Sequence, residues 1–288
     1  MSQSQKQKHG MLYLCATPIG NLSDITGRVL DTLKSVDLIA AEDTRNSIKL
    51  LNHFDIKVPL VSYHEYNRYD RANELIEKMR QGADIALITD AGTPVISDPG
   101  QVITEMCREA GIKVTSLPGP CALVTALTLS GLNARRFVFE GFLPADKKER
   151  RQVLNSLTGE TRTIILYEAP HHLLSTLKEL GEALSDREMA LCRELTKKFE
   201  EVKRMKLSEA IVYYEENEPR GEYVLVIEGR SPEDLRNEQI EQNRERDINE
   251  QMAEYEKQGL DRKEAMKKVA SDRGVSRREV YKQLLENK

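Results

Sequence analysis

From residue 11 onward, short apolar runs alternate with stretches whose apolar residues recur every three to four positions. Residues 11–16 (MLYLCA) form a run of strand length, broken at Thr17-Pro18-Ile19-Gly20-Asn21. Residues 24–33 place Ile25, Val29, Leu30 and Leu33 on one helical face. The alternation predicts strands at 38–41, 85–88 and 112–116, and helices at 44–54, 74–79, 101–110 and 121–129. Gly111 stands where a helix end takes a left-handed residue. The 121–129 helix is nearly uncharged, which predicts burial almost all round. Strand then helix, repeated, predicts a largely parallel sheet covered on both faces. Such sheets bind ligands at the carboxyl ends of their strands. The loops richest in Gly and Pro, 17–21, 89–100 and 117–120, fall at those ends.

Near residue 132 the pattern changes. A strand at 137–139 runs into Gly141-Phe142-Leu143-Pro144, and a charged run at 146–151 follows. Strands at 163–167, 189–193 and 223–227 then alternate with helices at 171–180 and 207–214. This predicts a disordered tail at 1–10, an α/β domain at 11–131 and a second at 132–229. Residues 230–250 read as a linker or a solvated helix, and 251–288 as a basic helical hairpin. In that hairpin Ala265 and Val269 precede Gly274, and Val275, Val280, Leu284 and Leu285 follow it. Ser276 and Glu279 have capping-box spacing, and the whole is a helix-turn-helix pattern. From Lys257 onward there are ten Lys/Arg against five Asp/Glu, a local charge suited to nucleic acid.

Composition adds limits. A chain of 288 residues exceeds what one core usually fills. The net charge of −4 gives no general drive toward nucleic acid or an anionic membrane, so any attraction to RNA must be local. No apolar run approaches the roughly 18 residues a bilayer span needs, and residues 1–10 lack the apolar core of a signal peptide. A cytoplasmic protein with no membrane partner is expected. Cys15, Cys107, Cys121 and Cys192 show no CxxC pattern, so neither a disulfide framework nor a zinc site is expected. No paired metal-ligand spacing occurs.

The chain has no GxxxxGK[ST], and no GxGxxG after its first strand, so the familiar phosphate cradles are missing. A cofactor recognised without a phosphate, such as S-adenosylmethionine (AdoMet), is the economical alternative. The 89–100 loop (TDAGTPVISDPG) follows a buried strand directly. Ala91 and Gly92 let backbone approach a ligand, prolines fix the loop shape, and Asp90 and Asp98 could accept from ribose hydroxyls or an amine. Each of the three loops alone also reads as an ordinary strand-to-helix turn. Three on one sheet edge favour a site.

Six segments occur in order: Ala16–Asp24 as ATPIGNLSD, Ala41-Glu42-Asp43-Thr44-Arg45, Asp90 to Gly100, Leu117-Pro118-Gly119-Pro120, Tyr167-Glu168-Ala169-Pro170-His171 and Arg193-Glu194-Leu195-Thr196-Lys197. Together they resemble the small-subunit ribosomal RNA methyltransferases of the tetrapyrrole methylase superfamily, over roughly residues 11–229. The basic C-terminal hairpin is similar to that family's terminal module. The resemblance implies two α/β domains of the tetrapyrrole methylase type with AdoMet in the cleft between them, a homodimer, and a small helix-turn-helix-like module. It implies methyl transfer to the ribose 2′-oxygen of a cytidine in the decoding region of 16S rRNA, within the 30S subunit. The superfamily's Gly-Asp-Pro reads Gly92-Thr93-Pro94 here. Its Gly-x-Gly-Pro-Gly-Asp first loop is replaced by 17–21, which argues against a tetrapyrrole substrate. The cofactor residues implied are Pro18, Gly20, Asp90, Ala91, Gly92, Thr93, Pro94, Pro118, Gly119, Pro120, Cys121, Ala122, Tyr167, Glu168, Ala169, Tyr223 and Val224, with Glu222 and Leu123 beside them.

A ribose hydroxyl is a poor nucleophile, so a base should take its proton. Glu42, Asp43, Glu168, Glu194 and Glu200 are candidates, and Arg45, Arg193, Lys197 and Lys198 could hold RNA phosphates. Of these, Glu42, Asp43, Arg45, Arg193 and Glu194 are the catalytic set expected. The other readings are methylation of a tetrapyrrole or a protein on the same scaffold, and an RNA-binding assembly factor without catalysis.

Overall fold

A computed structural model describes residues 9–286. The chain divides into two compact units, one running to Asn155 and resuming over Arg162–Glu228, the other made of Ser156–Thr161 and the chain from Gly229 onward. Most of the tail expected at 1–10 lies outside the described residues. Gly10, within it, is buried and its amide donates to the Met79 carbonyl at 2.8 Å, so order begins earlier than expected.

The first unit opens with β1 (Met11–Cys15), α1 (Gly27–Ser35), β2 (Leu38–Ala41), α2 (Thr44–His53), β3 (Leu60–Ser62), α3 (Arg68–Arg80), β4 (Ile85–Ile88), α4 (Gly100–Glu109), β5 (Lys113–Leu117) and α5 (Ala122–Ser130). The strands form one sheet in the order β3-β2-β4-β1-β5, every neighbour parallel. Leu12, Leu75, Met79, Ile85 and Ile103 make the core on one face. Val29, Leu33, Ile39, Leu51 and Ile88 make it on the other. The parallel sheet is thus covered on both sides, as the alternation requires.

Helix α5 packs on the second sheet: Leu123, Ala126 and Leu127 meet Ile165, Cys192 and Val226. Its burial is one-sided, with Val124 half exposed, so the expectation of burial all round was too strong.

Next come β6 (Phe137–Phe142), α6 (Lys147–Leu157), β7 (Thr163–Glu168), α7 (Leu173–Leu184), β8 (Glu188–Arg193), β9 (Glu201–Lys206), α8 (Leu207–Glu216) and β10 (Tyr223–Ile227). This sheet runs β6-β7-β10-β8-β9 and is mixed: β6 and β7 are parallel, the remaining pairs antiparallel.

The second unit holds α9 (Pro232–Glu245), α10 (Ile248–Lys257), α11 (Arg262–Asp272) and α12 (Arg277–Glu286). Helix α9 occupies the stretch expected as linker or solvated helix, and none of its residues is buried. The expected hairpin is instead a three-helix cluster, because Ile248 and Met252 of α10 complete the core of Val269, Val280 and Leu284. Glu279 N donates to Ser276 Oγ at 3.3 Å and Ser276 N to Glu279 Oε2 at 2.7 Å, which closes the capping box. Arg273 is buried and donates to Gln251 Oε1 at 2.6 Å and to the Arg246 carbonyl. Among the described residues no helix is long and apolar enough to cross a membrane.

Candidate active site

A cleft of about 340 Å³ opens where the loops after β1, β2 and β4 meet the start of α5 and the ends of β6, β7, β8 and β10. That is the carboxyl edge of the parallel sheet, where α/β proteins hold ligands. Local bonds make its loops one platform. Thr17 and Gly92 exchange backbone hydrogen bonds of 2.8 and 3.0 Å, and the Thr17 hydroxyl donates to the Thr89 carbonyl at 3.0 Å. The Thr93 hydroxyl reaches the Pro120 carbonyl at 3.0 Å. Gly92 has φ +85°, a conformation costly for residues with a Cβ.

Further along the same loop, Val95 and Ser97 hold φ of 80° and 63°. Such strain persists only where surroundings impose it, and it concentrates at functional sites. Asp98 imposes it here. Its two carboxylate oxygens accept from Val95 N and Gly100 N, each at 2.7 Å. Burial raises the Asp98 carboxyl above its ordinary range, against the pull of those two amides.

The cleft gathers many of the residues expected from sequence. Asp90, Ala91, Thr93, Cys121, Ala122, Tyr167, Tyr223 and Val224 line it, as do Glu42 and Glu194. Burial pushes the Tyr167 hydroxyl up to about 12, and that oxygen accepts from Leu123 N at 3.2 Å. Pro18, Gly20, Gly92, Pro94, Pro118, Gly119 and Pro120 belong to the same loops but are not among the residues that line the cleft. Gly20 sits so close to the 194–197 loop that an added Cβ would lie 2.8 Å from the Leu195 carbonyl. Gly119 is equally tight against Ala16 Cβ, at 2.7 Å.

Others turn away. Glu168 is buried elsewhere, accepting from the Thr176 hydroxyl at 2.5 Å and from Ala169 N at 2.8 Å. Asp43 caps α2, and Arg45 beside it holds its carboxyl down to about 2. A carboxylate that acidic is a poor proton acceptor near neutral pH. Arg193 donates to Glu201 Oε2 at 2.6 Å, outside the cleft. Asp90 is occupied too, with Asp43 N at 3.1 Å on one oxygen and Asn46 Nδ2 at 3.3 Å on the other.

Ile19, Ile96, Ser97, Phe142, Cys192 and Leu195 also line the cleft. They carry no chemical signature in sequence. Only adjacency to the loops, or position at the end of an apolar strand, could have marked them.

Five carboxylates face the cleft, from Glu42, Asp90, Asp98, Glu194 and Glu222, against one cation, Lys197. Lys197 is already paired to Glu194 at 2.9 Å. An excess of negative charge repels a phosphate and suits a cationic ligand. Ile19, Ala122, Leu195 and Val224 add apolar wall for a flat ring. Glu42 differs from the other acids: its one hydrogen bond among the described residues is from the Thr89 hydroxyl, at 2.9 Å.

This fold and this cleft place the chain in one class: it belongs to the tetrapyrrole (corrin/porphyrin) methylases, whose family model matches residues 11–211. Within that class it is 50% identical to the ribosomal RNA small subunit methyltransferase I of Synechocystis, over 96% of this chain and 98% of that protein. The Bacillus subtilis protein of the same name is 47% identical, over 98% and 96%. Among solved structures, the uroporphyrin-III C-methyltransferase of Thermus thermophilus in complex with S-adenosylhomocysteine shares the fold. Its TM-score is 0.56 at 18% identity, covering 76% of this chain and 97% of that one.

Proposed function

We propose that this chain is an AdoMet-dependent methyltransferase of small-subunit rRNA. The transfer goes to the ribose 2′-oxygen of a cytidine in the decoding region of 16S rRNA. The carrying observation is the acidic, phosphate-averse cleft in a chain near 50% identical, end to end, to relatives that bear the rRNA methyltransferase name. The donor set fits AdoMet: carboxylates for its ammonium, its sulfonium and its ribose diol, and apolar wall for adenine. Ala91, Ala122, Tyr167, Tyr223 and Val224 would hold it, with Asp98 fixing the loop beneath. When bound, AdoMet supplies an electrophilic methyl group.

The chain's own residues do the rest. Holding the oxygen in line with that methyl contributes much of the acceleration. Among the described residues Glu42 and Glu222 are the cleft carboxylates with neither a cation nor an amide donor, and Glu42 is the one of the two held by a side-chain hydrogen bond, so it accepts the 2′-hydroxyl proton. Thr89 orients it. The protein works as a homodimer in the cytoplasm, on rRNA already in the 30S subunit.

Calorimetric titration with AdoMet and with ATP separates the two ligand classes. Binding of AdoMet, with no heat from ATP, is expected. Labelled methyl should then pass to 30S subunits lacking their own modification. Label passing to uroporphyrinogen and not to RNA would overturn the substrate assignment.

A further inference from the structure

The tip joining β8 to β9 carries Phe199, which is 71% exposed. The loop that carries it is tightly built. Thr196 N donates to Glu200 Oε2 at 2.7 Å, Lys197 N to the Glu194 carbonyl at 3.0 Å, and Glu200 N to the Lys197 carbonyl at 3.1 Å. Glu194 and Thr196 hold left-handed φ of 51° and 66° without being glycines. Gly20 clamps the loop from the other side: a Cβ there would lie 2.5 Å from Lys197 Cγ. The backbone that bears Phe199 is therefore strained and over-determined, which concentrates at working surfaces.

Lys198 stands over the Phe199 ring, its ammonium 5.6 Å from the centroid, and has no carboxylate partner among the described residues. Two residues back, Lys197 lines the cleft. The pair is thus continuous with the site: an exposed aromatic ring on a constrained loop, with a cation at its rim. An aromatic face binds any nucleobase, and an adjacent cation tracks its phosphate.

We propose that Phe199 and Lys198 form a stacking platform for a single-stranded nucleotide next to the methylated one. This rests on the rRNA reading above and adds the residue that holds the strand in place. The occupant is RNA because the neighbouring free charge is positive and because the platform adjoins the cleft. A second copy of this chain is the alternative occupant for an exposed ring.

The test uses the full-length protein and compares wild type with Phe199→Ala, Phe199→Leu and Phe199→Tyr. Three quantities are read: KM for 30S subunits, calorimetric AdoMet affinity, and sedimentation mass. Losing one stacked base should raise KM roughly 5- to 150-fold in the Ala and Leu variants. Tyr should restore it, and AdoMet affinity and mass should not change. Leu acting as well as Phe would overturn stacking. So would wild-type KM in the Ala variant. A fall in mass on Phe199→Ala would assign the ring to a second copy and overturn the proposal. If wild type itself methylates no RNA, it is the rRNA reading that has failed; a wild type that methylates 30S beside an unaffected Ala variant refutes the platform alone.

Discussion

Gly20 is exposed and lies in a loop, where an added methyl group would ordinarily cost nothing. The structure says otherwise. In Gly20→Ala the new Cβ would stand 2.5 Å from Lys197 Cγ, 2.8 Å from the Leu195 carbonyl oxygen and 2.9 Å from Thr196 Oγ1. The lysine stem can swing aside. The carbonyl cannot, because Leu195 is buried and its neighbours already hold left-handed backbone. The two loops must separate, and overpacking of this kind costs about 1–3 kcal/mol. For a unit of this size each kcal/mol lowers Tm by roughly 2–4 °C. Because Ile19, Leu195 and Lys197 line the cleft, the same displacement should weaken AdoMet binding about tenfold, equivalent to about 1.4 kcal/mol. Gly27→Ala is the control: nothing lies within 4 Å of its added Cβ, and it begins α1. There alanine should be neutral or stabilise by about 0.5–1 kcal/mol. Scanning fluorimetry with and without AdoMet reads both effects. Equal Tm and equal AdoMet response in the two variants would refute the clamp.

Glu42→Gln keeps an acceptor for the Thr89 hydroxyl but cannot take a proton, so kcat should fall about 10²–10⁴-fold with AdoMet affinity little changed; an unchanged pH–rate profile at near-normal kcat would remove Glu42 from the chemistry. Asp98 has its folded pKa raised by burial, so the folded protein binds that proton more tightly than the unfolded chain. Stability conferred by protonation is therefore absent at neutral pH and grows as pH falls through the folded pKa toward the ordinary value of 3.8. Wild type should accordingly gain Tm over Asp98→Asn on acidification, and a gap that narrows instead would reverse the sign. Arg273→Ala leaves Gln251 Oε1 and the Arg246 carbonyl without their donor in the core of the C-terminal unit, costing about 1–3 kcal/mol. Circular dichroism should show α10–α12 melting early with AdoMet affinity intact, while a single unchanged melting transition would contradict the hub role.

The strands legible in sequence are the buried ones. β4 and β10 are apolar at every position and buried at every position, and their expected bounds match the observed strands. Both strands that sequence missed, β3 and β9, lie at sheet edges. An edge strand has one neighbour and a wetter surface, so it needs no apolar run and tolerates charge. β9 reads Glu-Val-Lys-Arg-Met-Lys and is paid for by ion pairs, Arg193 and Lys203 both reaching Glu201. The antiparallel pairing of β8 and β10 was equally illegible, since fully buried strands carry apolar runs in either direction.

The site shows the same division. Loop composition located Asp90 to Thr93 and the start of α5, because glycine and proline punctuate a chain visibly. Which carboxylates are free was invisible. Asp43, Glu168 and Glu194 look no different from Glu42 in sequence, and only their partners, Arg45, Thr176 and Lys197, tell them apart. Phe199 and Phe142 were missed for the opposite reason: an aromatic beside a strand reads as core until its exposure is known.

The most direct measurement is nucleoside mass spectrometry of 16S rRNA after 30S subunits lacking their own methylation are incubated with the protein and labelled AdoMet. The account predicts one labelled species, 2′-O-methylcytidine, from a single decoding-region position, at a rate that collapses in Glu42→Gln. Label on a base rather than a ribose, or on no rRNA nucleotide at all, would contradict it.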